Sequence, residues 1–290
     1  MALWRIAVDG TERLARGPAT EGPAELLPSG LTIDAILDGT GPSLHQALTE
    51  LATTPLTARP QVLAPIGSQE VWATGVTYLR SRDARKEESE SQGDHYDHVY
   101  DAPRPEIFFK ATPARVRGPG EAIGIRADSS WDVPEPELGL VLDASGALIG
   151  YVVGDDVSSR SIEGENPLYL PQAKNYTGSC ALGPCLVSVE EAPPFDELAI
   201  TLTISRACST FYRDQVAVTQ MKRQPEELAE WLFRALEFPI GAVLLTGTAI
   251  VPPSEFTLEP GDRVAIGING LGVLENPVER VGAAISGVPA

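Results

Sequence analysis

The sequence predicts an α+β fold that is rich in β-strands. The strongest sign is residues 131–160, where two apolar runs flank a turn-type tetrapeptide at 143–146, the pattern of a β-hairpin. Leu and Ile alternate with polar residues over 198–204, which is typical of a half-buried strand. A clear helical pattern is confined to short segments, so we expect few helices.

The first 62 residues are predicted to form a small N-terminal domain. Residues 3–8 favour a strand, and 32–37 and 43–51 favour two short helices with Thr32 and Ser43 as N-caps. The stretch 53–65, which bears Pro and Thr, is a candidate linker. We therefore expect a domain boundary near residue 62, with a catalytic domain at 63–290.

A polar segment interrupts the next predicted strands. Residues 71–78 favour a strand, and the polar, acidic stretch 86–105 that follows is predicted to be a lid over a site. His95 and His98 within it have a spacing that suits a metal ion, but solvated loop histidines are the favoured interpretation because no other His or Cys accompanies them.

Strand 106–111 comes next, and Glu106, Phe108 and Lys110 share one of its faces. Beyond the central hairpin, Lys174 stands alone in a stretch rich in Gly and Pro. The rest is predicted scaffold, with a helical face formed by Leu228, Trp231, Leu232, Ala235 and Leu236, strands at 242–248 and 263–268, and a hairpin turn at Asn269 and Gly270.

The composition excludes several classes of partner. The chain has 290 residues, 43% of them hydrophobic, and a formal net charge of −18, which disfavours nucleic acid and anionic membranes. No apolar run has the length of a membrane span, and the first residues lack the apolar core of a secretory signal, so the cytoplasm is expected. Cys180, Cys185 and Cys208 lack metal-ligand spacing and are expected to be reduced.

Three acidic residues of the central hairpin are predicted to share one face. A four-residue loop would pair Leu142 with Ala147 and Glu135 with Gly154, which places Glu135, Glu137 and Asp156 on the same side of the sheet. A slip of one residue would separate them. Such a cluster needs a cation, and its oxygen ligands favour Mg²⁺, Mn²⁺ or Ca²⁺. The alternative is that these acids only solvate an exposed sheet face.

Several motifs together resemble the fumarylacetoacetate hydrolase superfamily over residues 71–278. They are Glu-Pro-Glu-Leu at 135–138, Asp-Asp-Val-Ser-Ser-Arg at 155–160, Lys174 with Leu-Gly-Pro at 182–184, Leu-Thr-Gly-Thr at 245–248, Pro-Gly-Asp at 260–262, Gly-Leu-Gly at 270–272 and Asn-Pro at 276–277. The resemblance implies a mixed β-sandwich roll, Mg²⁺ or Mn²⁺ held by Glu135, Glu137 and Asp156, and a homodimer or homotetramer.

Departures from the family's hydrolases point to its sugar-acid dehydratases. Ser81 stands where the hydrolases keep a water-activating histidine, Thr177 replaces an Asp, and Glu106 replaces an apolar residue. The resemblance therefore implies dehydration of a 2-keto-3-deoxy-D-pentonate to 2,5-dioxopentanoate. Lys174 is the candidate base and Glu106 the candidate acid. The candidate substrate contacts are Tyr78, Ser81, Arg82, Arg85, Phe109, Lys110, Thr177 and Thr248.

Other functions stay open on the sequence alone. The chain could be an acylpyruvate or fumarylacetoacetate-type hydrolase, or an oxaloacetate decarboxylase, with His95 or His98 as base. It could also be a binding protein that a divalent ion merely stabilises. Arg82 and Arg85 could equally form salt bridges to the acidic lid.

Overall fold

The computed structural model describes residues 1–81 and 98–283. Its strands are β1 (Ala2–Val8), β2 (Thr11–Gly17), β3 (Glu25–Leu26), β4 (Thr54–Pro55), β5 (Gln61–Val62), β6 (Glu70–Gly75), β7 (Glu106–Ala111), β8 (Val116–Arg117), β9 (Ile123–Arg126), β10 (Asp132–Val133), β11 (Pro136–Leu142), β12 (Leu148–Asp156), β13 (Ser158–Ser159), β14 (Cys180–Ser188), β15 (Ala199–Arg206), β16 (Ser209–Ala217), β17 (Ala242–Leu245), β18 (Arg263–Ile268) and β19 (Gly272–Val281).

Helices are short. The α-helices with described bounds are α1 (Ile33–Leu37), α2 (Leu44–Thr49), α3 (Arg160–Glu165), α4 (Leu170–Lys174) and α5 (Pro225–Phe233). Single 3₁₀ turns lie at Pro113–Arg115, Pro167–Tyr169, Phe195–Glu197 and Val218–Gln220. No helix in the described part of the chain is long and apolar enough to cross a membrane.

Two mixed sheets carry the fold. The larger runs in the order β4-β3-β2-β1-β14-β12-β11-β17-β6-β7, with β5 on β1 and β8 on β14. The smaller runs β16-β15-β18-β19-β9, and β10 pairs with β13 alone. Leu138, Leu140 and Leu142 of β11 pack in one core cluster with Leu202 and Ile266 of the smaller sheet. The hairpin β11–β12 therefore lies at the centre of the larger sheet, with one face against the smaller sheet.

The N-terminal strand and helices form as predicted. Strand β1 covers the expected residues, and both helices start after their predicted caps, Thr32 and Ser43. The Ser43 hydroxyl accepts a hydrogen bond from the Gln46 N–H at 3.2 Å, and the Gln46 side chain bonds back to the Ser43 N–H. Because β1 pairs with β14 at Leu3 and Leu186, the larger sheet is continuous across residue 62. The domain boundary there stays a prediction.

The predicted register of the central hairpin is wrong by two residues. Leu142 pairs with Leu148, and an irregularity after Val141 brings Glu137 opposite Gly154. The loop is longer than expected because the Asp143 carboxylate accepts hydrogen bonds from two backbone N–H groups within it. The loop and the irregularity each add one residue, so their sum preserves which side chains share a face.

Three other predicted elements are shorter than expected. Strand β6 ends at Gly75 because Val76 has a φ of 53°, outside the extended region. Strand β17 ends at Leu245, two residues before Gly247, whose φ is +88°. Helix α5 ends at Phe233, and Ala235 and Leu236 lie beyond it. There the Phe233 and Phe238 ring centres lie 4.9 Å apart.

The remaining scaffold predictions hold. Strand β15 carries the alternating pattern, β7 and β18 have the expected bounds, and the β18–β19 hairpin turns at Gly270 with a φ of +76°. The three cysteines are free: Cys180 and Cys185 are buried, and Cys208 is exposed.

Candidate active site

Three buried carboxylates meet at one end of the central hairpin. Glu135 immediately precedes β11, Glu137 is its second residue, and Asp156 is the last residue of β12. One carboxylate oxygen from each lies within 4.8 Å of those of the other two. Their exposed fractions are 5%, 0% and 1%, so the alternative of a solvated surface face is wrong. Buried acids this close need positive charge to remain ionised together.

Glu137 is the most deeply buried of the three carboxylates. Its Oε2 accepts a 2.6 Å hydrogen bond from the Gly247 N–H, and its Oε1 has no hydrogen-bond partner among the described residues. Burial raises the pKa of Glu137 well above its usual range, and the neighbouring Asp156 and Glu135 carboxylates raise it further. An additional cation beside Oε1 would relieve both the missing contact and the repulsion.

Protein cations surround the cluster on its other sides. Lys174 Nζ lies 2.9 Å from Asp156 Oδ2 and 3.1 Å from Glu135 Oε1. Arg160 Nη2 lies 3.2 Å from Glu135 Oε1, and the Lys110 ammonium forms an ion pair with Asp156. Although burial alone would raise the pKa of Asp156, Lys110 and Lys174 lower it below its usual value. Asp156 is therefore held as a carboxylate.

The donor set fits a hard divalent cation. Glu135, Glu137 and Asp156 offer only carboxylate oxygens, which Mg²⁺ and Mn²⁺ prefer over softer ligands. The unpartnered Glu137 Oε1 points to the same conclusion, because such a buried oxygen is costly without a partner. These three residues are the ones that could hold the ion.

A cavity opens beside the carboxylates. Its lining includes the Glu135 and Lys174 side chains together with Thr74, Gly75, Val76, Ser81, Glu106, Phe108, Glu163, Leu170, Gly247 and Thr248. Glu106 enters from β7, and its carboxylate lies against Gly75 on the adjacent strand. A Cβ at Gly75 would come within 2.1 Å of Glu106 Oε2, so glycine is what leaves room for this acid.

The family follows from comparison with known proteins. The model of the fumarylacetoacetate hydrolase C-terminal family matches residues 70–279. This range contains the whole carboxylate cluster and every residue that lines the cavity. The chain belongs to the fumarylacetoacetate hydrolase family. The predicted resemblance is thereby confirmed.

Two named proteins are close relatives in sequence. A probable 2-keto-3-deoxyxylonate dehydratase of Haloferax volcanii is 53% identical over 217 residues, which is 75% of this chain and 74% of the relative. The 2-dehydro-3-deoxy-D-arabinonate dehydratase of Saccharolobus solfataricus is 46% identical over 223 residues, or 76% of this chain and 75% of the relative.

Two similar solved structures confirm the predicted fold class. The apo form of a 2-keto-3-deoxy-D-arabinonate dehydratase superposes with a TM-score of 0.85 at 36% identity, covering 98% of this chain and 100% of that one. The same enzyme complexed with magnesium and 2,5-dioxopentanoate gives a TM-score of 0.84 over 97% of this chain and 99% of that chain.

Some predicted site residues meet in the cavity and others do not. Ser81, Glu106, Lys174 and Thr248 line it. Arg82, Arg85 and His95 lie outside the described residues, with most of the predicted lid, and His98 is exposed.

Four predicted substrate contacts do not line the cavity. Phe109 points to the opposite face of β7, where its ring packs edge-on against Trp72 at 5.7 Å. Thr177 is exposed on the loop after α4. Tyr78 is buried, and its hydroxyl has no hydrogen-bond partner within the described ranges; burial, then the Glu137 charge, raises its pKa. Lys110 is fully buried behind Asp156.

Phe108 and Glu163 are among the cavity residues that sequence reasoning missed. Phe108 shares a strand face with Glu106, and strand alternation alone would have preferred it to Phe109. Glu163 lies three residues after Arg160 on α3, which Ser159 caps, so the two share a helix face. The spacing Arg-x-x-Glu after a metal-ligand motif was the available signal for Glu163.

Proposed function

We propose that the protein is a metal-dependent hydro-lyase that converts a 2-keto-3-deoxy-D-pentonate, of the D-arabinonate or D-xylonate type, to 2,5-dioxopentanoate and water in pentose catabolism. The names of both close relatives and the product complex of the similar structure support this reaction. The observation that carries it is one cavity lined by Lys174, which contacts two of the three clustered carboxylates, and by Glu106.

Glu135, Glu137 and Asp156 would hold one Mg²⁺, with Mn²⁺ or Ca²⁺ as substitutes. When bound, such an ion acts as a Lewis acid toward the carboxylate and keto oxygens of a 2-oxo acid. The protein's own contribution is to orient the three carboxylates: the Gly247 N–H holds Glu137, and Arg160 and Lys174 hold Glu135.

Lys174 is the proposed base. Its Nζ donates hydrogen bonds to Asp156 Oδ2 at 2.9 Å and to Ser158 Oγ at 2.5 Å, and it lies 5.5 Å from the centre of the Phe108 ring. These contacts fix the position of the amine, and Lys174 lines the cavity. In its neutral form the amine removes a proton from C3 of the substrate, the methylene next to the keto group.

Glu106 is the proposed acid. It gives a proton to the C4 hydroxyl as the C–O bond breaks, so that one water leaves and a C3–C4 double bond forms. It then takes a proton from C5, and reprotonation at C3 and C4 with loss of the C5 hydroxyl proton leaves the C5 aldehyde. The sum is loss of one water and no change in oxidation state over the molecule.

Dehydration is favoured over carbon–carbon cleavage by what the cavity lacks. Hydrolysis needs a base that activates water. The resemblance to the family's hydrolases places their water-activating histidine at position 81, and here Ser81 lines the cavity instead. Within residues 1–81 and 98–283, no histidine lines the cavity. A serine does not activate water near neutral pH without a partner base.

The test is a comparison of two substrates at equal enzyme and saturating Mg²⁺. We expect rapid conversion of 2-keto-3-deoxy-D-arabinonate to a product lighter by one water, with little cleavage of an acylpyruvate. Glu106→Gln should lower the dehydration rate about 100-fold or more while binding of pyruvate is kept. Dominant carbon–carbon cleavage would overturn the proposed function.

We also propose a homodimer or homotetramer in the cytoplasm. The family resemblance supports the assembly, and three free cysteines agree with a reducing compartment. Light scattering on the purified protein tests the assembly, and a monomer at micromolar concentration would contradict it.

A further inference from the structure

Lys110 is a fully buried lysine whose ammonium group has three oxygen partners. Its side chain is 0% exposed. Nζ forms an ion pair with the Asp156 carboxylate, and it donates hydrogen bonds to the carbonyl oxygens of Val157 at 3.1 Å and Lys174 at 2.7 Å. An ammonium group carries three N–H donors, so these three contacts use all of them.

This geometry excludes the predicted role of Lys110 as a substrate contact. The side chain does not line the cavity, and its donors are already used by the protein. A buried ammonium is costly unless it is paired and hydrogen-bonded, as it is here. Any effect of Lys110 on the reaction must therefore pass through its partners Asp156, Val157 and Lys174.

The end of α4 depends on such outside support. The helix has five residues, Leu170–Lys174, and helices of that length are not stable by themselves. The last carbonyl groups of a helix have no partner within the helix. Here the Lys174 carbonyl accepts hydrogen bonds from Lys110 Nζ and from Ser179 Oγ, the latter at 2.7 Å.

We propose that Lys110 is a positioning residue for Lys174. Through one ammonium group it ties the backbone of Lys174 to the end of β12, where Asp156 lies, and so sets where the Lys174 amine stands relative to the carboxylate cluster. The inference rests on the proposed role of Lys174 as the base. In this role Lys110 touches no substrate, but it fixes the geometry in which Lys174 removes the proton.

The experiment measures proton removal apart from dehydration. Wild type with Mg²⁺ in D₂O should exchange the C3 protons of 2-oxobutanoate, which has no hydroxyl to lose. Lys110→Met should lower this exchange rate and the dehydration kcat together by about tenfold or more, because a small misplacement of a catalytic group has effects of this size. At saturating Mg²⁺ the KM should change much less than kcat, because Lys110 does not line the cavity.

A second readout needs no activity. In the metal-free protein, Lys110→Met should speed backbone amide exchange at Asn175 and Ser179, next to the released carbonyl, and leave the smaller sheet unchanged. Arg206→Met is the matched control. It removes a cation bonded to Asp262 and Glu259, none of which lines the cavity, so it should lower thermal stability and leave kcat unchanged.

Ser179→Ala gives an independent arm if Lys110→Met does not fold. It removes the other hydrogen bond to the Lys174 carbonyl, so it should lower proton exchange in 2-oxobutanoate by a smaller factor with KM kept. Wild-type exchange rates in both folded variants, or in Ser179→Ala alone where Lys110→Met is unfolded, would overturn the positioning role. Failure of the wild type itself to dehydrate the pentonate would instead refute the proposed function.

Discussion

The backbone N–H of Asp156 donates a 3.0 Å hydrogen bond to the carbonyl oxygen of Glu135, so these two acids face each other across the hairpin. Residues directly opposed in an antiparallel pair point to the same face. Lys174 bridges their carboxylates, and Glu137 follows two residues along the same face. The carboxylate cluster is therefore a direct consequence of the strand register.

Asp155 should support that register from the opposite face. Its Oδ1 accepts a 3.0 Å hydrogen bond from the Glu135 N–H, and burial raises its pKa well above the usual range. Asp155→Leu removes the acceptor and should weaken Mn²⁺ binding about tenfold, the usual effect of losing a group behind a metal ligand. Asp155→Asn keeps a neutral acceptor and should bind Mn²⁺ like wild type. Equal losses in a Mn²⁺ titration would contradict this role.

Gly75 should be required for the position of Glu106. In Gly75→Ala the new Cβ would stand 2.1 Å from Glu106 Oε2, so the carboxylate must move. We expect kcat for dehydration to fall about 10- to 100-fold with the fold intact. Gly164→Ala is the matched control, because a Cβ there meets nothing within 4 Å, and its kcat should not change. Equal kcat values for the two variants would refute the argument.

Phe108 and Phe109 should differ in function although they are neighbours. Phe108 lines the cavity 5.5 Å from Lys174 Nζ, whereas the Phe109 ring packs on Trp72. Phe108→Leu should lower kcat/KM about fivefold because the ring no longer packs beside the Lys174 amine and fixes its position. Phe109→Leu should lower the melting temperature and leave kcat/KM unchanged. The reverse pattern would restore the original prediction of Phe109 as a substrate contact.

Asp132 should make stability depend on pH. Burial raises its pKa to about 6, against a weaker opposing effect of Ser129 and the nearby Arg126 and Arg280. The folded state then binds more protons than the unfolded state between pH 4 and 6, so stability is lost as the pH rises through 6. Between pH 5 and 7.5 the free energy of unfolding of Asp132→Asn should fall by about 1 kcal/mol less than that of the wild type. Urea unfolding at both pH values measures it, and an unchanged pH dependence would exclude Asp132 as its source.

Much of the site could be predicted because strand alternation is robust. The predicted pairing of Leu142 with Ala147 is wrong, yet Glu135, Glu137 and Asp156 still share a face because the error is an even number of residues. The motif positions Glu106 and Lys174 also line the cavity as expected.

The remaining errors concern features that only tertiary contacts decide. The loop bonds of Asp143 and the irregularity after Val141 have no distinct sequence signal. The sequence shows a lysine at position 110 on the same strand face as Glu106, but not that its donors meet Val157 and Lys174 carbonyl oxygens. The exposure of Thr177 likewise follows from how the loop after α4 is placed.

The central claim is that Glu135, Glu137 and Asp156 hold one divalent ion that dehydration requires. The most direct measurement strips the protein with a chelator and titrates it with Mn²⁺, following bound metal and formation of 2,5-dioxopentanoate from 2-keto-3-deoxy-D-arabinonate in the same samples. The account predicts one Mn²⁺ per chain, product formation in proportion to occupancy, and loss of both in Glu137→Gln. Full turnover by verified metal-free protein, or unchanged Mn²⁺ binding by Glu137→Gln, would contradict it.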